Sequence, residues 1–208
     1  MSIQEHRIAV SRSARYFTIG RGEREVWFVL HGYGQLAARF LRHFEAIDDG
    51  SRLIVAPEGL SRFYLTENPA ERRVGASWMT KEERLAEIED YVRYLEAVHD
   101  ELPKTTKVTL LGFSQGSATA CRWLTMGKSR FDHLIVWGGE VPPDVELPRT
   151  VRLSLVYGSR DEYFTPKVVA ATEARLSKEG IRYALVPFDG GHEIDAAVLK
   201  RLALTADR

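Results

Sequence analysis

"VTLLGFSQGSATACRWL", residues 108–124, contains the five residues on which the fold turns: Gly112-Phe113-Ser114-Gln115-Gly116. The run Val108–Leu111 before them is short and apolar, as a buried strand is, and the residues after them carry a helical pattern. A G-x-S-x-G pattern between strand and helix makes a demand on the backbone. A serine on so sharp a turn needs a strained conformation, and the flanking glycines let helix and strand approach. The turn lifts the hydroxyl clear of a sheet and aims the next N–H, that of Gln115, at whatever oxygen binds there. A glycine-padded turn with an ordinary capping serine is the plain alternative, and it requires no partners elsewhere in the chain.

A reactive serine does require partners. Its hydroxyl is a poor nucleophile near neutral pH until a base accepts its proton and an acid orients that base. On a strand–turn–helix of this kind the acid and then the histidine follow the serine in the chain. Of His6, His31, His43, His99, His133 and His192, only the last two follow Ser114. His133 opens the strand-like "HLIVW", at the end of the sheet away from the serine. His192 lies in "VPFDGGHEIDAAVL", on a glycine loop between the last strand and the last helix, and is the candidate base. For the acid, "LSLVYGSRDEYFTP" places Asp161 just past a strand on a glycine turn. Glu140, in "VWGGEVPPD", is the second possibility, and Asp189 stands too near His192 in sequence to reach the back of its ring. Loop carboxylates also serve as turn and helix caps.

Further apolar runs recur at Val26–Leu30, Leu53–Ala56, Leu134–Trp137, Leu153–Tyr157 and Tyr183–Val186. They are continuous rather than alternating, as strands covered on both faces are. Two β-like runs, Arg7–Val10 and Arg15–Ile19, look like an antiparallel lead-in. Between the later runs lie helical patterns. "TKEERLAEIEDYVRYLEAVHD" puts Leu85, Ile88, Val92 and Leu95 on one face, with Thr80 and Glu83 spaced as a capping box. "TPKVVAATEARLSKEG" has Thr165 to cap, Pro166 in the first turn and Gly180 as the stop. "HEIDAAVLKRLAL" stacks Ile194, Val198 and Leu202. The alternation predicts an α/β fold with a mostly parallel sheet, helices on both faces and sites at the carboxyl ends of the strands.

Composition excludes several classes. The 208 residues suit one domain spanning 1–208, with neither repeat nor linker. Lys and Arg number 29 against 29 Asp and Glu, so no overall field draws the chain to nucleic acid or anionic membrane. The single cysteine, Cys121, excludes an internal disulfide and a multi-cysteine metal site, and reads as buried packing. No apolar leader or spanning run is present, so the expectation is a cytoplasmic protein without stable membrane insertion.

"VWFVLHGYGQLAARF", residues 26–40, has two readings. GYGQLA fits the G-x-G-x-x-A turn of a dinucleotide site, with Glu58 about 20 residues on as a ribose-binding acid. The same glycines also suit a loop whose backbone N–H approaches a developing oxyanion, with Tyr33 N–H and Gln115 N–H as the two donors and His31 structural. Only the second reading also uses Ser114, Asp161 and His192.

In order along the chain, "HGYG", "LIVAPEG", "ASWM", "LLGFSQG", "GSRDEYFTP" and "GGHEI" resemble the phospholipase/carboxylesterase, acyl-protein-thioesterase-like branch of the α/β-hydrolases. The resemblance implies an α/β-hydrolase fold without a large cap. It implies a serine esterase or thioesterase acting on a small-molecule ester or thioester, with no metal or cofactor. By the same resemblance Ser114, Asp161 and His192 form the catalytic triad, with Tyr33 and Gln115 around the oxyanion. Gln35 stands where the family loop usually carries Asp, and Met79-Thr80 follow Trp78 where Phe-Asp is common. Both departures favour a carboxylesterase over an acyl-protein thioesterase. Residues 58–79 are long for a plain connection and carry Phe63, Tyr64 and Trp78. They suggest a substrate-pocket wall, with Trp78 the first candidate and Phe164, beside the acid loop, the second, or else aromatics closing the core. Arg72 and Arg73 there read as solvated charge, with contact to an anionic substrate group as the alternative.

Overall fold

β2 (Glu25–Leu30) is buried at every position, and its side chains divide between two cores. Val26, Phe28 and Leu30 face one apolar cluster, whereas Trp27 and Val29 face another. This two-sided burial explains why the central strands read as unbroken apolar runs. The computed structural model describes residues 2–22, 24–68, 70, 72–102 and 107–205. Among them β2 is joined by β1 (Tyr16–Gly20), β3 (Arg52–Pro57), β6 (Val108–Phe113), β7 (His133–Trp137), β8 (Arg152–Gly158) and β9 (Ala184–Phe188). The seven strands are ordered β1-β3-β2-β6-β7-β8-β9, and every pairing is parallel except that of β1 with β3. A separate two-stranded antiparallel sheet pairs β4 (Ser61–Tyr64) with β5 (Val74–Ser77).

Helices cover both faces. α2 (Arg84–Asp100) and α3 (Gln115–Met126) bury Ile88, Tyr91, Leu95, Cys121 and Trp123 in the first core, which Leu176 of α4 (Pro166–Lys178) also joins. α1 (Ala37–Phe40), the 3-10 turn Leu41–Ile47 and α5 (Ala196–Thr205) close the second. Cys121 lies in the first core as packing, and burial pushes its thiol up to about 12. No helix among the described residues is long and apolar enough to cross a membrane.

Three local expectations differ from the structure. Arg7–Val10 forms no strand: Ile8 and Val10 are exposed, Arg7 pairs with Glu83 at 2.7 Å, and β1 pairs with β3 instead. The capping box of Thr80 and Glu83 does not form. Glu83 itself adopts a left-handed conformation, and Thr80 turns to Glu87, its N–H 2.6 Å from Oε2. With the helix starting at Arg84, Leu85 points outward and Tyr91 takes a place on the buried face. Residues 58–79 are mostly the β4–β5 hairpin rather than an irregular loop, although 69 and 71 lie outside the described residues.

Candidate active site

Ser114 is the lone joint between β6 and α3, with φ 54° and ψ −119°. A residue with a Cβ holds such a conformation only when its surroundings impose it, at a cost of roughly 1–3 kcal/mol. Its N–H donates to the Trp137 carbonyl at 2.9 Å, and its own carbonyl accepts from Ser117 N–H at 3.0 Å. Gly116 lets the helix start pass beneath β2: a methyl group there would overlap the Leu30 carbonyl oxygen and lie 2.7 Å from that of His31.

β8 and β9 deliver the other two residues. Past β8, Asp161 N–H donates to the Gly158 carbonyl at 3.1 Å, closing a tight turn. Oδ1 of Asp161 accepts the N–H groups of Tyr163 and Phe164, both at 2.8 Å. Oδ2 lies 2.8 Å from His192 Nδ1. A carboxylate partner selects the tautomer with its proton on Nδ1, which leaves Nε2 as an acceptor. The Asp161 side chain is 1% exposed and that of His192 20% exposed, so the acid is sealed while the ring stays reachable. The His192 ring packs between Phe113 at 4.8 Å and Tyr163 at 4.9 Å, centroid to centroid. Phe113 directly precedes Ser114, so this contact brings the imidazole to the elbow. No hydrogen bond joins Ser114 Oγ to His192 among the described residues. Gly138, at the end of β7, leaves room for the pair: a methyl there would stand 3.2 Å from both Asp161 Oδ2 and His192 Nδ1.

The HGYG loop follows β2, which neighbours β6 in the sheet. His31 is fully buried; its Nδ1 sits 2.8 Å from the Gly32 carbonyl, and its Nε2 accepts Gly59 N–H at 2.9 Å. Only the Nδ1–H tautomer satisfies both bonds, and burial lowers the ring's pKa, so it remains neutral. Gln35 Oε1 accepts Gly32 N–H at 2.8 Å, tightening the turn as a carboxylate in that place would. Gly34 N–H then donates to Ala76 of β5 at 2.8 Å, and Ala76 N–H donates back to Gln35 at 3.1 Å. The N–H groups of Tyr33 and Gln115 have no hydrogen-bond partner among the described residues.

No protein-family model matches the sequence, and no curated protein matches it. Solved structures do match in fold. Acyl-protein thioesterase 2 of Zea mays superposes with a TM-score of 0.72 at 16% identity, covering 94% of this chain and 99% of that one. The Bacillus cereus carboxylesterase gives 0.70 at 15% identity over 93% of each chain. A carboxylesterase from Mesorhizobium loti gives 0.68 at 20% identity, over 92% of this chain and 94% of its own. The fold is that of the α/β-hydrolases.

Within this α/β-hydrolase fold the other candidates occupy different places. His133 is buried on β7 with Nε2 2.9 Å from Ser154 Oγ, and burial pushes its pKa down to about 3. Glu140 is exposed and makes no hydrogen bond or ion pair with His192, while Asp189 pairs with Arg160. Glu58 is not free for a ribose. Its buried carboxylate holds Arg15 at 2.7 Å, Arg62 at 3.3 Å and Ala37 N–H at 3.3 Å. The α-helix that opens on Ala37 of GYGQLA has only the four residues of α1 before the 3-10 turn Leu41–Ile47, short for a phosphate cradle. Trp78 and Phe164 lie beneath the surface, 2% and 3% exposed, and the Trp78 indole N–H donates to the His31 carbonyl at 2.8 Å. Exposed aromatics near the site include Tyr33, its ring tilted against Phe63 with centroids 5.2 Å apart, and Tyr163. Arg72 stands 5.7 Å over Tyr64, on the hairpin. Sequence reasoning passed over Gly138, although the glycine pair directly after the "HLIVW" strand was a readable signal, and the backbone donors on Asp161, which left none.

Proposed function

We propose that this chain is a serine hydrolase that cleaves carboxylic esters or thioesters through an acyl-enzyme. One observation carries the reading: the strained elbow at Ser114 stands beside a reachable His192 whose ring is held by a sealed Asp161. In the proposed reaction Ser114 Oγ attacks the substrate carbonyl carbon while His192 Nε2 accepts the hydroxyl proton. Asp161 keeps Nδ1 protonated and steadies the imidazolium that forms. The tetrahedral oxyanion rests on the N–H groups of Tyr33 and Gln115. As it collapses, the bond to the alcohol or thiol breaks, and His192 returns the proton to that leaving group. Water, deprotonated by the same ring, then attacks the acyl-enzyme, and Ser114 recovers its proton as the acid departs. No step draws on a metal or cofactor. The esterase and thioesterase neighbours support this class of reaction by analogy of fold. The departures at Gln35 and Met79 favour a carboxylesterase acting on small esters.

A fluorophosphonate probe tests the reading. The wild-type chain is expected to label and Ser114→Ala is not; equal labelling of both would overturn the assignment. A chain-length series of p-nitrophenyl esters, run beside matching thioesters, then defines the acyl preference.

A further inference from the structure

The two proposed oxyanion donors belong to separate elements, and their spacing must be set by something that touches both. The Gln115 side chain does so. Its Oε1 accepts Trp78 N–H at 3.1 Å, and its Nε2 donates to the Met79 carbonyl at 2.7 Å and to Ser77 Oγ at 3.1 Å. Ser77 Oγ donates in turn to the Met79 carbonyl at 2.9 Å. This pattern admits one orientation of the amide. Turned over, the –NH2 would face the Trp78 N–H, and the oxygen would face the Met79 carbonyl.

The residue held at the other side of Ser77 is Ala76, whose N–H and carbonyl are paired with Gln35 and Gly34 beside Tyr33. β5 is therefore fastened to the Tyr33 loop at one residue and to the start of α3 within the next three. Gly75 marks how closely hairpin and loop meet: a methyl there would sit 2.7 Å from Gly34 Cα. Apart from a 3.5 Å contact between Arg122 and the Met79 sulfur, no other hydrogen bond among the described residues ties this end of β5 to α3.

We propose that the Gln115 carboxamide is a positioning group that sets the separation of the Tyr33 and Gln115 N–H donors through β5. The proposal rests on the serine-hydrolase reading and adds a second role to a residue whose backbone alone that reading uses. A donor displaced by about 1 Å is expected to lose much of its stabilisation of the transition state, while substrate binding is less affected.

The test uses variants that all keep the backbone N–H. Gln115→Met preserves length without polar atoms, and Gln115→Glu replaces the –NH2 with an oxygen facing the Met79 carbonyl. Both are expected to lower kcat by about 10- to 100-fold with KM within about twofold, and to slow fluorophosphonate labelling to the same degree. Gln115→Glu should fall at least as far as Gln115→Met. Ser77→Ala removes one partner of the same amide and should cost less, and in the double variant it should add nothing to Gln115→Met. Should Gln115→Met not fold, Ser77→Ala with the kcat-against-KM split carries the test. A wild-type kcat in Gln115→Met, a loss confined to KM, or losses that multiply in the double variant would overturn the proposal while Ser114 still labels. A wild-type chain whose labelling does not depend on Ser114 would overturn the hydrolase reading and this proposal together.

Discussion

Ser114 and Glu83 are the non-glycine residues with positive φ among those described, and each stands immediately before a helix. The resemblance ends there. Glu83, at φ 47° and ψ 31°, occupies the small left-handed well that any residue can enter at modest cost. Ser114, at φ 54° and ψ −119°, lies outside that well. The side chain of Glu83 is 44% exposed and its neighbourhood is open. Ser114 is hemmed in by the Trp137 carbonyl, the Gly32 turn and the crossing of Gly116 under β2. One positive φ is a local choice at a helix entry; the other is imposed by three strands.

If that contrast is right, the elbow fails first where its surroundings have least room. Gly116→Ala would push a methyl group into the Leu30 and His31 carbonyls, and backbone cannot swing aside as a flexible side chain can. The expected cost is about 3 kcal/mol of stability, with hydrolysis lost as the end of β2 and the Tyr33 loop move. Urea denaturation followed by circular dichroism measures the first, and ester turnover the second. A variant as stable as wild type would mean that the elbow is not imposed from outside.

This is also why the elbow could be read from sequence and the entry to α2 could not. Close backbone approach is written as glycine, and Gly112 and Gly116 flank the serine at fixed spacing. Glycine turns after strands likewise signal Asp161 and His192. Nothing local records that Thr80 turns to Glu87 rather than capping α2, because the helix starts later than its apolar pattern suggests. The β4–β5 hairpin escaped notice for a related reason. Each strand has four residues, and β5 is held in part by Gly34 and Gln35, far away in sequence. Aromatic type alone left Trp78 and Phe164 divided between a pocket wall and the core, and both side chains are buried. The Trp78 indole is held by the His31 carbonyl and the Phe164 backbone N–H by Asp161 Oδ1, partners that lie outside the local aromatic pattern.

A second, smaller effect separates strain from chemistry at the serine. Ser114→Gly removes both the hydroxyl and the Cβ, whereas Ser114→Ala removes the hydroxyl alone. Hydrolysis is expected to vanish in both. Relief of a conformation costing roughly 1–3 kcal/mol, offset by the entropy of glycine, should leave the glycine variant about 1 kcal/mol more stable than the alanine variant. For a chain of this size that is a rise of about 2–4 °C in Tm, readable by calorimetry. Equal melting temperatures would mean that the elbow stores no strain.

The smallest effect completes the contrast. At Glu83 the same pair of substitutions changes only the cost of the left-handed well. Both lose the carboxylate that Arg7 reaches, so that contribution cancels between them. Glu83→Gly is expected to exceed Glu83→Ala by about 0.5 kcal/mol, with kcat and KM unchanged in both, since nothing in the site touches this turn. What matters is the ratio. A glycine-over-alanine gain twice as large at residue 114 as at 83 is expected if tertiary packing drives Ser114 out of the ordinary left-handed region. Equal gains would reduce the elbow to another left-handed residue, and the strain there would no longer support a catalytic reading.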